Sequence, residues 1–204
     1  MGVAVPASAA CATNCHHTID MPSRRGCASS DDTLSWQIQP SWLGPVWVAW
    51  SPQGVRAIVL ADNDEALLVE LHADWHERCS PTPWGEADAA AHPWVTAVLN
   101  LIEQPASPEA QSMSFPLDVR GTAFQKMVWT ALRQIPPGQT VSYSELAQRL
   151  GQPRAVRAVA GACAANVLAV VIPCHRVVRR DGGLSGYRWG VSRKQALLQR
   201  EASH

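Results

Sequence analysis

No stretch of this 204-residue chain is apolar for long enough to cross a bilayer, which excludes a helical membrane protein. The opening residues, Met1 to Pro6, lack the basic region and continuous apolar core of a secretory leader. Pro6 stands where a myristoylation signal needs Ser or Thr. The expectation is a cytoplasmic protein. Regular cysteine spacing is missing too. Cys11, Cys15, Cys27, Cys79, Cys163 and Cys174 are scattered unevenly, which excludes a disulfide framework and predicts free thiols.

Net charge is also absent, the formal value being zero. The balance conceals a division. Residues 1–118 carry 4 Lys+Arg against 14 Asp+Glu, a balance of −10, while residues 119–204 carry 13 against 3, a balance of +10. A half this basic, with its arginines set among small residues rather than paired with glutamates, suggests a polyanionic partner, nucleic acid first.

Residues 1–34 are rich in Ala, Ser and Cys without periodicity and are expected to form a disordered tail. Cys11, Cys15, His16, His17 and Cys27 are zinc-type ligands, but their spacing fits no closed site, so no metal and no cofactor is expected. A small domain is expected over residues 35–110. Val46–Trp50 and Val55–Leu60 read as a hairpin turned at Ser51-Pro52-Gln53-Gly54. Asp62 followed by Glu65 reads as a capping box opening a helix to about Trp75. A second helix is expected from Pro93 to Ile102, and a short strand between Met113 and Leu117, in or near a linker over 111–120.

The second domain is expected over residues 121–204. Thr122 caps a helix whose apolar face is Phe124, Val128, Ala131, Leu132 and Ile135. Ser142 with Glu145 caps a short helix, Gly151-Gln152-Pro153 turns it, and Arg154 to Ala164 forms another. Two short helices across such a turn read as a helix-turn-helix, whose alternative is a plain helical pair. A last helix runs from Val191 to Glu201.

Between these helices lies Val170-Val171-Ile172-Pro173-Cys174-His175-Arg176-Val177-Val178. The apolar flanks predict buried backbone, and Pro173 predicts a stiff, non-helical segment beneath the thiol. His175 and Arg176 beside Cys174 predict a thiol with a depressed pKa. A buried structural cysteine is the alternative.

Ser142-Tyr143, the run from Arg154 to Asn166, Pro173 to Val178, and Ser185-Gly186-Tyr187 together resemble the O6-alkylguanine-DNA alkyltransferase family. The likeness covers Trp36 onward and is greatest over Gly138 to Glu201, where it is closest to the C-terminal domain of the bacterial adaptive-response branch. The additional phosphotriester-accepting and regulatory modules of that branch have no counterpart here, so regulatory activity is not expected. The resemblance implies an α+β fold, with a small RNase H-like α/β domain, its short antiparallel sheet flanked by helices, before a mainly helical, winged-helix-like helix-turn-helix domain. It implies alkyl transfer from O6-alkylguanine, and from O4-methylthymine, in double-stranded DNA to the protein itself, by a monomer without cofactor.

The resemblance also implies roles. Cys174 is the acceptor, His175 its base through a water, and Glu201 the carboxylate orienting His175. Asn166 is the hinge between the recognition helix and the acceptor segment. Arg157 fills the stack when the base flips, with Arg154 and Ser142 also at the DNA. Tyr143 helps rotate the base and protonates it, and Tyr187 lines the guanine pocket. Mammalian relatives that accept benzyl groups have small residues at the positions of Ser185 and Trp189 and a proline at that of Ala169, so a narrower pocket is implied.

The chemistry suits those residues. Displacement at an alkyl carbon on guanine O6 needs a soft nucleophile, and the thioether product has no route back. A Cys-His-carboxylate set has the logic of a triad, and a base inside a duplex must leave the stack to be reached. Two other classes compete. One is a non-catalytic module that binds alkylated DNA, against which Cys174 counts. The other is a thiol hydrolase, for which no oxyanion-hole pattern is present.

Overall fold

The computed structural model describes residues 34–75, 81–82, 92–108, 114–184 and 186–203. The expected tail and its cysteines lie outside them, except that Leu34 opens a strand. The first half is a four-stranded sheet in the order β3-β2-β1-β4. β1 (Leu34–Gln39) pairs antiparallel with β2 (Val46–Ser51), which pairs antiparallel with β3 (Gly54–Leu60). The short β4 (Pro81–Thr82) lies parallel to β1. The β2–β3 hairpin follows the predicted turn. β2 is buried along its whole length, as its near-continuous apolar sequence requires.

α1 (Asp64–Trp75) forms where expected, but its cap differs. Asn63 Oδ1 accepts the Ala66 N–H at 2.8 Å, while Asp62 instead accepts from Arg193 at 2.7 Å. α2 (Pro93–Glu103) is capped by His92, whose Nδ1 accepts the Trp94 N–H. The strand expected at Met113–Leu117 is reduced, among the described residues, to a single bridge between Leu117 and Val55. Pro116 and Asp118 hydrogen-bond both sides of Val55, and Gly54, at φ +142°, lets the Pro116 carbonyl approach where a Cβ would collide. The stretch expected to be a linker is thus sewn onto β3.

α3 (Ala123–Leu132) carries the expected Thr122 cap, completed by Gln125. It stops at Leu132, and Ile135 is buried in the following turn. α4 (Tyr143–Arg149) has the Ser142–Glu145 capping box in both directions. α5 (Val156–Ala164) starts two residues after Arg154, which lies exposed in the turn. The Trp129 Nε1–H of α3 donates to the Ala162 carbonyl at 2.8 Å and fixes α5 on α3. A two-stranded parallel pair, β5 (Val141–Ser142) and β6 (Val177–Val178), joins the entry of α4 to the exit of the cysteine segment. α6 (Val191–Ala202) closes the chain, with Lys194, Leu197 and Glu201 on its buried face.

One apolar cluster runs from Leu34 to Leu197 through both halves. The fold is a mixed α/β one, a small, mainly antiparallel sheet followed by helices. No helix among the described residues is long and apolar enough to cross a membrane.

Candidate active site

The turn between α5 and Cys174 is held from two sides. β3 grips it by backbone, the Ile58 N–H donating to Val167 O at 2.8 Å and the Ala169 N–H to Ile58 O at 3.2 Å. Asn166, 1% exposed, grips it by side chain. Its Oδ1 accepts the Leu168 N–H at 2.9 Å, and its Nδ2 lies 2.9 Å from Ile172 O and 3.2 Å from Cys174 Sγ.

Within this clamp Val170 has φ +66°, a conformation that a β-branched residue adopts only under strain of about 1–3 kcal/mol. The Val171 N–H closes a three-residue turn around it onto Ala169 O at 2.7 Å, and the Cys174 N–H closes another around Pro173 onto Ile172 O at 2.8 Å. Pro173 therefore shapes the approach as expected. Cys174 itself, however, does not sit on a non-helical segment. Cys174–Arg176 is a single 3-10 turn.

His175 and Glu201 are fully enclosed, their Nε2 and Oε1 atoms 2.9 Å apart. Burial pushes the Glu201 pKa up, but the bonds from His175 and Arg176 outweigh it and bring it down to about 2. Burial pushes the His175 pKa down against the raising effect of Glu201, so the ring is neutral. An ionised carboxylate only accepts, hence Nε2 carries the ring proton and Nδ1 keeps its lone pair. That Nδ1 is buried with no protein partner. The tautomer thus makes His175 a base at Nδ1.

Arg176 does not face the thiol as an acidifying charge. Its Nε and Nη2 hold Glu201 at 3.1 and 2.8 Å, and its Nη1 donates to Ile135 O at 2.5 Å. The Gly138 N–H also reaches Glu201, at 3.4 Å. Glu201 thereby connects the loop before α4 to the histidine.

The expected depression of the thiol pKa is overturned. Burial raises Cys174 to about 11, against the lowering effects of the Asn166 bond and of Lys194. At neutral pH the resting group is a thiol, and deprotonation must accompany reaction. Sequence reasoning missed Lys194, which is wholly buried and donates to Val177 O at 2.5 Å. The signal available was its place on the apolar spacing of α6, three residues before Leu197. Cys163 was missed as well. It is a second buried thiol, raised by burial to about 12.

A cavity of about 290 Å³ opens beside Cys174. Tyr143, Ala160, Cys163, Ala164, Cys174, Gly186, Tyr187 and Arg188 line it. The structure thus brings Tyr143 and Tyr187 to one cavity with Cys174, with Asn166, His175 and Glu201 behind it. Trp189 is buried and packs edge-on against Tyr187 at 5.2 Å, outside the lining. Ala169 is buried in the turn, also outside the lining, and Ser185 is outside the described residues. Arg154 and Arg157 are exposed. The Ser142 hydroxyl accepts the Glu145 N–H at 3.1 Å as a helix cap and lies 3.1 Å from the Ser144 hydroxyl.

Residues 123–203 match the family model described as the 6-O-methylguanine DNA methyltransferase DNA-binding domain. The chain is 52% identical over 162 residues to the bifunctional transcriptional activator/DNA repair enzyme Ada of Escherichia coli, covering 79% of this chain and 44% of that protein. It spans about half the length of that relative and of the regulatory protein ada of Salmonella typhimurium, 44% and 50% respectively. A methylated-DNA–protein-cysteine methyltransferase of Shigella flexneri is 37% identical over 164 residues, covering 78% of this chain and 90% of the relative. Among solved structures, Mycobacterium tuberculosis OGT in complex with DNA superposes with a TM-score of 0.63 at 32% identity, over 84% of this chain and 93% of that one. On these likenesses the chain belongs to the methylated-DNA–protein-cysteine methyltransferase family.

Proposed function

We propose that this protein repairs DNA by moving an alkyl group, methyl above all, from guanine O6 and thymine O4 to Cys174 Sγ, once per molecule. The observation that carries the reading is the union of three features at one atom. Sγ lines a cavity, accepts from Asn166, and is followed in the chain by a neutral histidine whose outer nitrogen is fixed by an ionised Glu201. The His175 Nδ1 lone pair takes the thiol proton through a water as Sγ attacks the alkyl carbon. The C–O bond breaks with its electron pair passing to guanine, and Tyr143 at the cavity wall protonates the departing base. Asn166 and Lys194 stabilise sulfur as it gains charge.

The partner is double-stranded DNA containing alkylated bases. In this reading the sheet half has an RNase H-like arrangement, and α4 and α5, with the β5–β6 pair, a winged helix-turn-helix. Exposed Arg157 at the start of α5 enters the stack, and Arg154 and Ser142 approach the backbone. The protein acts as a cytoplasmic monomer. The alternative of a non-catalytic binder of alkylated DNA is disfavoured because a thiol, Cys174, lines the cavity.

The test is intact mass after incubation with excess duplex containing O6-methylguanine. The expected result is a plateau at one methyl per protein, carried by Cys174, and no transfer to Cys174→Ala. Repair continuing past one equivalent would falsify single-turnover transfer.

A further inference from the structure

The mechanism leaves one nucleophile in the cavity unused. Cys163 presents its thiol from the inner face of α5, and Cys174 presents its own from the 3-10 turn; both line the same space of about 290 Å³. They are near enough that a charge on Cys174 opposes ionisation of Cys163, and Lys194 favours both thiolates. Small-residue packing alone would be served by alanine, which α5 uses on the same face at Ala160 and Ala164.

We propose that Cys163 is a second acceptor, which captures the far end of a bifunctional alkyl group after Cys174 has taken the near end. The inference rests on the alkyl-transfer reading above. The smallest such group is a 2-haloethyl group on guanine O6. In the first step Cys174 Sγ takes the carbon from O6, leaving a 2-haloethyl thioether. That sulfur then displaces halide from the neighbouring carbon, giving a three-membered episulfonium ring and free halide. Cys163 Sγ attacks a ring carbon, the ring C–S bond breaks, and its electron pair returns to the Cys174 sulfur. The Cys163 proton goes to solvent. The net change is one ethylene bridge between two sulfurs, with halide and a proton released, and no oxidant is required.

Both resting thiols are protonated, and the base invoked above, His175, serves Cys174, so Cys163 competes poorly for the first transfer. An episulfonium carbon is far more reactive, and a thiol in the same cavity meets it without a diffusional encounter. Water and the DNA itself are the competing nucleophiles. Capture by Cys163 spares the duplex a covalent link to the protein.

The experiment reacts the full chain with two duplexes, one carrying O6-methylguanine and one freshly made O6-(2-haloethyl)guanine. No Lys or Arg lies between Arg157 and Arg176, so both thiols fall in a single tryptic peptide, Ala158–Arg176. The expected haloethyl product gains two carbons and two hydrogens, contains no halogen, loses two free thiols, and yields no fragments from cleavage between Cys163 and Cys174. Cys163→Ala is expected to give a hydroxyethyl or haloethyl adduct on Cys174, or a cross-link to DNA, and no bridged peptide. The proposal is overturned if the unaltered protein carries only such one-ended adducts with Cys163 free, or if Cys163→Ala still forms a bridge. If the methyl duplex leaves Cys174 unmodified, it is the alkyl-transfer reading itself that fails.

Discussion

The Asn166 side chain amide donates to Cys174 Sγ at 3.2 Å while lying 2.9 Å from the Ile172 carbonyl. One side chain therefore shapes the strained turn and, in the proposed reaction, stabilises sulfur as it becomes an anion. The two tasks are separable by substitution. Asn166→Ala leaves the Leu168 N–H buried without that partner, at roughly 1–3 kcal/mol, while Ile172 O keeps the Cys174 N–H. Chemical denaturation should show a loss on that scale. Methyl transfer should slow by more than the unfolded fraction accounts for. A rate that tracks folded protein alone would leave Asn166 a purely structural role.

The reactivity of Cys174 should follow a thiol with a pKa near 11. In the protein without DNA, thiolate absorbance assigned by difference from Cys174→Ala should rise late in an alkaline titration, well above the free-cysteine value of about 8.5. Lys194→Met removes the buried cation while keeping the packing, and should move that midpoint higher still. Methyl transfer by the variant should fall about tenfold or more, equivalent to about 1.4 kcal/mol of barrier. A midpoint near or below that of free cysteine would show that burial does not govern this thiol.

These two predictions rest on features with very different legibility. The Thr122 and Ser142 caps, the β2–β3 hairpin and the span of α6 were readable because each is set by neighbours a few residues apart. Strand β1 was not. Its Leu34, Trp36 and Ile38 alternate over too few positions to stand out from the tail, and its register is fixed by a partner, Ile38 facing Trp47. The Asp62 cap failed because Asn63 offers the same chemistry one residue later, and α6 supplies Arg193 to Asp62. The motif placed Cys174 at the cavity's edge only by resemblance, and it gave the ionisation of that thiol the wrong sign. Arg176 is only two residues on in sequence yet is used on Glu201, while the cation that the thiol feels, Lys194, lies twenty residues away. Burial and partner choice are tertiary properties, and local pattern is silent on both.

Glu201 should give the protein an acid limb. Its carboxyl is held down to about 2 by His175 and Arg176 despite burial, below the ordinary value of 4.5. A group with a depressed folded pKa contributes stability that is full above the unfolded value and is lost as pH falls through the folded one. The window here is from about 4.5 to about 2, worth on the order of 3 kcal/mol. Glu201→Gln should remove that slope. It should also destabilise the protein at neutral pH, since Arg176 is left buried and unpaired. Transfer at equal folded fraction should slow, because the amide no longer enforces the His175 tautomer with Nδ1 as base. An unchanged rate would remove Glu201 from the relay.

Trp189 tests how the cavity limits what it accepts. Its indole is 3% exposed, and its ring meets Tyr187 edge-on at 5.2 Å; Tyr187 in turn meets His175 edge-on at 6.3 Å. The indole does not line the cavity, so any narrowing is indirect, by holding the Tyr187 ring in place. A methyl group needs little beyond the guanine site. A benzyl group needs a further apolar face, which a fixed Tyr187 denies it. Free O6-benzylguanine should therefore inactivate the protein slowly. Trp189→Gly should release Tyr187 and raise that rate tenfold to several hundredfold, for a few kcal/mol of differential binding. The same change empties a large buried volume and should cost about 3–5 kcal/mol of stability. Trp189→Phe separates the two effects. A phenyl ring still backs Tyr187, so this variant should stay resistant to benzylguanine while remaining nearly as efficient with methylated DNA. Equal inactivation rates for the unaltered protein and Trp189→Gly would show that the Tyr187–Trp189 contact does not set the size of the alkyl group.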